Sequence, residues 1–173
     1  MKNILIKNIT SIDEDIFPLA EVKLFLRVAC DGDDELIRSN ILAASEFAEQ
    51  YLGRYVYKRK VVCIYQPGAS KEITLPNNDI ISLEEVKLVG EEGILLENDK
   101  DFQLNNNKII LSSNFRSKPL EITYISGFSA FPEAIKHGIL YHVSMLYDKE
   151  IMDYEKRESL FLFYRPYRNL RVF

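Results

Sequence analysis

The residues that could act as a nucleophile and its base lie within one short stretch of the chain. Ser129 follows Gly127-Phe128 between a strand pattern and a helix pattern, where the nucleophile of an α/β-hydrolase lies. The turn lacks a second glycine, and the two histidines of the chain, His137 and His142, both lie on the helix that follows at once. A hydrolase takes its histidine from far downstream and has a parallel sheet. We therefore expect a plain turn here and no enzyme activity.

Two other groups of side chains could bind a metal ion. The acidic run at residues 31–35 suggests a calcium loop, but the required glycine falls on Leu36 and the bidentate acid on Leu42. We expect these acids to cap the next helix instead. His142 has no second ligand at metal-binding spacing, so we expect a packed, hydrogen-bonded side chain. No glycine loop for phosphate follows a strand, and we expect no metal and no cofactor.

Length and composition indicate one globular domain with room for a core. The chain has 173 residues, 47% of them hydrophobic and 28% charged, and a formal net charge of −4. No apolar run approaches the ~20 residues of a membrane span. Residues 1–9 lack the pattern of a secretory signal, which predicts a strand or a frayed arm. Cys30 and Cys63 lie far apart, and we expect two reduced, buried thiols.

Apolar spacing predicts four helices. Ile37, Ile41 and Ala44 recur at helical intervals in the clearest of them, and Gly53 is a typical stop. The small residues of that helix favour a close neighbour, which we expect to be the helix that contains Gly138. The four helices are expected near residues 18–28, 34–52, 132–149 and 157–165.

Residues 55–125 have a different pattern, with short alternating runs separated by turn residues. Short connections favour antiparallel hairpins. The predicted fold is therefore α+β, a small helical bundle with an inserted antiparallel β region at 55–125. The expected strands are YVYKRKVVCIYQ, KEITL, IISLEEVKLV, GILLE, DFQL, KIILS and LEITYIS.

The C-terminal stretch differs from the rest of the chain in charge. Residues 154–173 contain five basic and two acidic side chains, a net charge of +3 that leaves −7 for the remainder. Arginine and aromatic residues are enriched at protein interfaces, but they also stack on single-stranded nucleic acid or pack in a core. These three alternatives stay open at this point.

Three separated segments resemble the phage head-tail connector (adaptor) family, also described as DNA-packaging proteins. The first, LAEVKLFLRV with DGDDELIRSNILAASEFAEQYLGR, ends in Tyr51-x-Gly53-Arg54. The second, ITYISGFSAFPEAIKHGILYHVSMLYD, contains the Pro132-x-Ala134-Ile135-Lys136 pattern. The third, FLFYRPYRNLRVF, contains the Pro166-Tyr167-Arg168 signature. The segments cover about half of the chain in the family's order, and the β region resembles the longer, prophage-borne branch.

The resemblance implies a structural virion or prophage protein. Copies would form a ring, dodecamer-like as in the family, beneath the portal protein at the head-tail interface. The ring would extend the DNA channel, with DNA passing through it without specific binding, and would contact a downstream head-completion or tail protein. Before assembly the chain would be in the cytoplasm of the bacterial host, with no membrane contact. The alternative is a DNA-binding adaptor or packaging regulator that uses the basic aromatic tail.

The residue patterns also predict how the single subunit of residues 1–173 is organised. Residues 17–54 and 131–165 would form the helical core, 55–125 the β insertion, and 166–173 an extended docking tail. The residues expected to dock on the portal or another neighbour are Tyr164, Arg165, Pro166, Tyr167, Arg168, Arg171 and Phe173.

Overall fold

The structure, a computed structural model, describes residues 4–12, 16–68, 72–76, 79–90, 94–115, 117–149 and 152–169. The chain divides into two compact units. The β unit comprises Met1–Asp13 and Tyr57–Phe128, and the helical unit comprises Glu14–Val56 and Ser129–Phe173. The α+β architecture with antiparallel sheets is the one that the sequence predicts.

Four strands form the larger sheet of the β unit: β1 (Ile4–Ser11), β2 (Arg59–Tyr65), β4 (Ile80–Leu88) and β7 (Leu120–Ser126). The sheet is antiparallel, in the order β1-β2-β7-β4. Alternate residues of a strand face the same side, so Leu120, Ile122 and Tyr124 are fully buried together. At the N-terminus, where the sequence predicts a strand or a frayed arm, residues 4–11 form the strand β1 and pair with β2.

A smaller sheet of three strands completes the β unit: β3 (Glu72–Thr74), β5 (Phe102–Asn105) and β6 (Lys108–Leu111). Their order is β3-β6-β5, and the turn from β5 to β6 has Asn106 in the left-handed conformation, with φ 54°. The Tyr124 hydroxyl donates a 2.8 Å hydrogen bond to the carbonyl of Pro76, which ties β7 to the segment after β3.

The helical unit has four helices: α1 (Leu19–Leu26), α2 (Asp34–Leu52), α3 (Glu133–Tyr147) and α4 (Tyr154–Tyr164). α2 has the predicted bounds, and Gly53 ends it with φ +66°, a conformation that glycine adopts without strain. α2 packs on α3, and α3 packs on α4.

The acidic run before α2 makes ion pairs rather than the expected side-chain cap. Asp33 is at the N-cap position but accepts no capping hydrogen bond there. Instead, it accepts a 2.7 Å hydrogen bond from the hydroxyl of Tyr147. Lys23 donates to Asp31 at 2.5 Å and to Asp34 at 2.7 Å, and these carboxylates raise the pKa of its amine. The run therefore fastens α1 and α3 to the start of α2.

Three predicted features differ in the structure. The GILLE run forms no strand in its described part, where Leu95 makes one isolated bridge to Lys87. α4 begins at Tyr154, three residues before the predicted start, because Asp153 accepts a 2.9 Å capping hydrogen bond from the backbone N–H of Lys156. α3 is the neighbour of α2, as predicted, but its Gly138 lies against α4: a Cβ there would lie 2.6 Å from the Tyr164 ring.

No helix in the described part of the chain has both the length and the apolar character that crossing a membrane requires.

Candidate functional site

The end of the chain returns to the C-terminal end of α2. After α4, Arg165–Tyr167 form a 3-10 turn, so the tail does not start in the extended conformation that the sequence suggests. Arg168 is then extended, with φ −66° and ψ 125°. The backbone N–H of Asn169 donates a 2.8 Å hydrogen bond to the carbonyl of Leu52, an acceptor that the end of a helix leaves free.

Gly53 permits this close approach. A Cβ at this position would lie 3.2 Å from the backbone oxygen of Asn169. The glycine of the Tyr51-x-Gly53-Arg54 motif and the Pro166-Tyr167-Arg168 motif thus belong to one structural arrangement, although more than 100 residues separate them.

Aromatic rings and arginines form the outer part of this arrangement. Tyr51 of α2 stacks on Phe161 of α4, with ring centroids 4.0 Å apart and planes 12° apart. The guanidinium of Arg168 lies 4.8 Å from the centre of the Tyr51 ring, and that of Arg157 lies 5.3 Å from the centre of the Phe161 ring. Both distances are typical of cation–π contacts. We call these four residues the arginine–aromatic surface.

The charges of this surface are partly uncompensated. Arg165 lies between the Tyr51 hydroxyl and the carboxylate of Glu158, and both raise the pKa of its guanidinium. Arg157 and Arg168 are exposed, and neither forms an ion pair with another described residue. Two guanidinium groups are therefore held in place by aromatic rings and have no acid opposite them within the described part of the chain, which suits the binding of an acidic partner.

The structure separates the predicted docking residues into three groups. Arg165, Pro166 and Arg168 are exposed, and Tyr167 is half-buried. Tyr164 is 0% exposed: its ring packs beside Gly138, and burial raises the pKa of its hydroxyl, so this side chain belongs to the core of the helical unit rather than to its surface. The two others, Arg171 and Phe173, lie outside the described residues.

Sequence reasoning did not single out Arg157 or the stacked pair of Tyr51 and Phe161. The spacing of four residues from Arg157 to Phe161 on one helix is a local signal for their contact. The meeting of Tyr51 with Phe161 has no local signal, because the two rings come from helices that are distant in sequence.

The residues that suggested a hydrolase are not arranged as a catalytic pair. Ser129 and His137 are exposed, and no hydrogen bond joins Ser129 to either histidine within the described part of the chain. His142 is 5% exposed and packs edge-on against Phe47, with ring centroids 4.8 Å apart. Its Nδ1 atom has no hydrogen-bond partner among the described residues, in contrast to the hydrogen-bonded side chain that we expected.

Within the described ranges, no three histidine, cysteine or acidic side chains come together in a way that could hold a metal ion.

Three solved structures share the fold of this chain over 96% of its length and 98% of theirs. They come from the neck of an empty gene transfer agent (GTA) particle computed with C6 symmetry (TM-score 0.73, 16% identity), the virion of a native GTA particle (0.72, 15%), and the neck of a native GTA particle computed with C12 symmetry (0.69, 14%). At these identities the likeness shows a common fold.

A family model, that of the phage gp6-like head-tail connector proteins, matches residues 18–117. The match begins at α1 and includes most of the β unit, whereas α3 and α4 lie beyond it. No curated protein matches the chain. The family predicted from the sequence is confirmed: the chain belongs to the phage gp6-like head-tail connector family and has the structural role of a head-tail connector.

Proposed function

We propose that copies of this chain form a closed ring beneath the portal protein and extend the DNA channel toward the tail. The observation that supports this most strongly is the fold match over 96% of the chain to proteins of the GTA neck, for which the structures name C6 and C12 symmetry. One face of the ring would meet the portal, and the other a downstream head-completion or tail protein. The role requires no reaction and no cofactor.

The charge of the chain suits a channel wall. Its net charge is −4, and the tail region carries +3 of the opposite sign. Binding to DNA arises largely from neutralised phosphates, so an acidic wall lets DNA slide without being held. We infer that DNA passes through the ring without specific binding, and that the chain is in the bacterial cytoplasm before it joins the particle at the head-tail interface.

The tail is the part that we propose to dock on an acidic neighbour, either the portal protein or the next copy in the ring. Its described residues lie at the surface, with Arg165, Pro166 and Arg168 exposed and Tyr167 half-buried. Two cation–π contacts hold the guanidinium groups of the adjacent surface in place. A preorganised side chain loses less conformational entropy when it binds, which favours affinity. Arg171 and Phe173 belong to the same proposed tail.

Deletion of the gene for this chain from the phage or prophage that encodes it tests this function. Heads without attached tails are expected to accumulate, and wild-type chain supplied from a plasmid is expected to restore attachment. The Ser129→Ala variant serves as a control for catalysis, and it should restore attachment as well as the wild-type chain does. Normal tail attachment in the absence of the chain would contradict the proposal.

A further inference from the structure

The outer face of α2 is exposed and mainly acidic. Glu35 and Glu46 are exposed on it, and neither forms an ion pair with another described residue. Leu42, one turn before Glu46, is 61% exposed, and Gln50, one turn after it, is exposed as well. Arg38 is the one basic residue of the helix. This acidic outer face therefore combines an exposed apolar side chain with more carboxylates than bases.

This face lies opposite the arginine–aromatic surface on the helical unit. Leu42 and Tyr51 are nine residues apart in α2, and at about 100° per residue they point in opposite directions. Tyr51 contacts α4 and Arg168, so Leu42 and its acidic neighbours face the other way. One copy thus presents acids on one side and, among its described residues, unpaired guanidinium groups on the other.

Two different, complementary faces on opposite sides of a subunit are what a head-to-tail interface needs. Such an interface is heterologous, and it closes into a ring when the rotation between neighbours allows it. We infer that the acidic outer face of α2 in one copy docks on the arginine–aromatic surface of the next copy. Glu46 pairs with the guanidinium groups of Arg157 and Arg168 across this interface. Leu42, 61% exposed in one copy, adds apolar contact to the interface.

A second copy fits the arginine–aromatic surface better than nucleic acid does. Binding to a single strand requires ring faces on which bases can stack. The Tyr51 ring is already in contact with Phe161 and Arg168, and Phe161 is only 8% exposed. What remains at the surface is positive charge on fixed guanidinium groups, and carboxylates are suitable partners for it.

Changing the charge of each face tests the inference, which rests on the proposed ring. One variant carries E46R and Q50R, which makes the acidic outer face basic, and the other carries R157E and R168E. Sedimentation velocity at rising concentration measures assembly of the full chain. Each variant alone is expected to need at least about tenfold more protein than wild type for half-maximal assembly. E84R, which reverses an exposed acid of β4, is the matched control and should assemble like wild type.

Mixing the two altered variants gives the decisive result. In a head-to-tail ring, the native acidic face of one variant meets the native arginines of the other, and the two altered faces also meet with opposite charges. An equimolar mixture is therefore expected to regain wild-type assembly. Because Arg168 covers Tyr51, R168E could lower the melting temperature. In that case R157E alone is mixed with E46R, and the same recovery is expected.

Several outcomes would overturn the inference. These are wild-type assembly of either variant, a mixture that stays dispersed, and a wild-type chain that remains monomeric at its highest soluble concentration. In a further contradicting outcome, the R157E and R168E variant loses salt-sensitive binding to duplex DNA but assembles like wild type. That result would assign the arginine–aromatic surface to DNA binding. None of these results would contradict the role in tail attachment, which the tail-attachment experiment tests separately.

Discussion

At the scale of single residues, burial determines what the titratable side chains can do. His142 lies in the core against Phe47, and burial lowers its pKa below the ordinary value of 6.5. Its unfolded form takes up a proton as the pH falls through about 6.5, whereas the folded form resists it. The histidine therefore costs no stability above that pH and destabilises the fold progressively below it.

Replacing this histidine should reduce the pH dependence of folding. Between about pH 7 and pH 5, the free energy of unfolding of the wild type is expected to fall more steeply than that of His142→Leu. Urea unfolding at each pH measures the difference. His137→Leu, at an exposed position of the same helix, should keep the wild-type slope. Equal slopes for wild type and His142→Leu would show that the buried imidazole is not responsible.

The two cysteines should differ sharply in reactivity. Cys30 is exposed, unlike the buried thiol that the sequence suggested, whereas Cys63 is buried in β2, where burial and the nearby Glu121 raise its pKa to about 12. Thiolates, not thiols, react with disulfide reagents. One thiol per native chain is expected to react with such a reagent near neutral pH, and the second only after unfolding. Substitution Cys30→Ser should abolish the native reaction, and rapid labelling of Cys63 in the folded chain would contradict its burial.

At the scale of elements, Gly138 sets the distance between α3 and α4. In Gly138→Ala the added methyl would lie 2.6 Å from a carbon of the Tyr164 ring and 2.8 Å from the Cβ of Phe163. Alanine favours a helix by about 1 kcal/mol over glycine, but the clash opposes it. We expect a net loss of about 1–3 kcal/mol in the free energy of unfolding. Glu133→Ala, exposed on the same helix, should change it little, and a stabilised Gly138→Ala would contradict the close packing.

Truncation of the tail separates docking from folding. A chain that stops after Arg165 loses the Arg168–Tyr51 contact and the hydrogen bond from Asn169 to Leu52. We expect a cost of about 1–2 kcal/mol in stability but an intact fold. The truncated chain should no longer bind the portal protein, as measured by co-sedimentation. Glu158→Gln, which keeps the tail but removes the ion pair of Arg165, is the control. Unfolding on truncation would assign the tail to the core instead.

The elements show which features a sequence can predict. α2 was predicted with its bounds because apolar periodicity and Gly53 are local signals. The GILLE run lacks alternation of apolar and polar residues, and its Ile94 and Leu95 are both exposed. It therefore has no buried face that would stabilise a strand.

The contacts of the candidate site could be predicted only in part. Composition marks the tail as basic and aromatic, but it does not show that Tyr164 faces inward while Arg168 faces solvent. The side chains that contact Gly138 depend on which helix lies beside it. The tertiary packing of the helical unit determines this, and no local sequence signal reports it.

At the scale of the whole molecule, opposite charges lie on different surfaces of one chain. The acidic outer face of α2 and the arginine–aromatic surface are the surfaces through which we propose that copies meet. Family membership and the shared fold fix the class of the protein, and the proposed ring explains why a chain of net charge −4 keeps a basic end.

The most direct test of this account is the native mass of the complex that the chain forms with the portal protein of its own particle. The account predicts a complex with many copies of the chain on one portal ring, in a number that matches a closed symmetric ring. A portal that binds no chain, or binds a single copy, would contradict it.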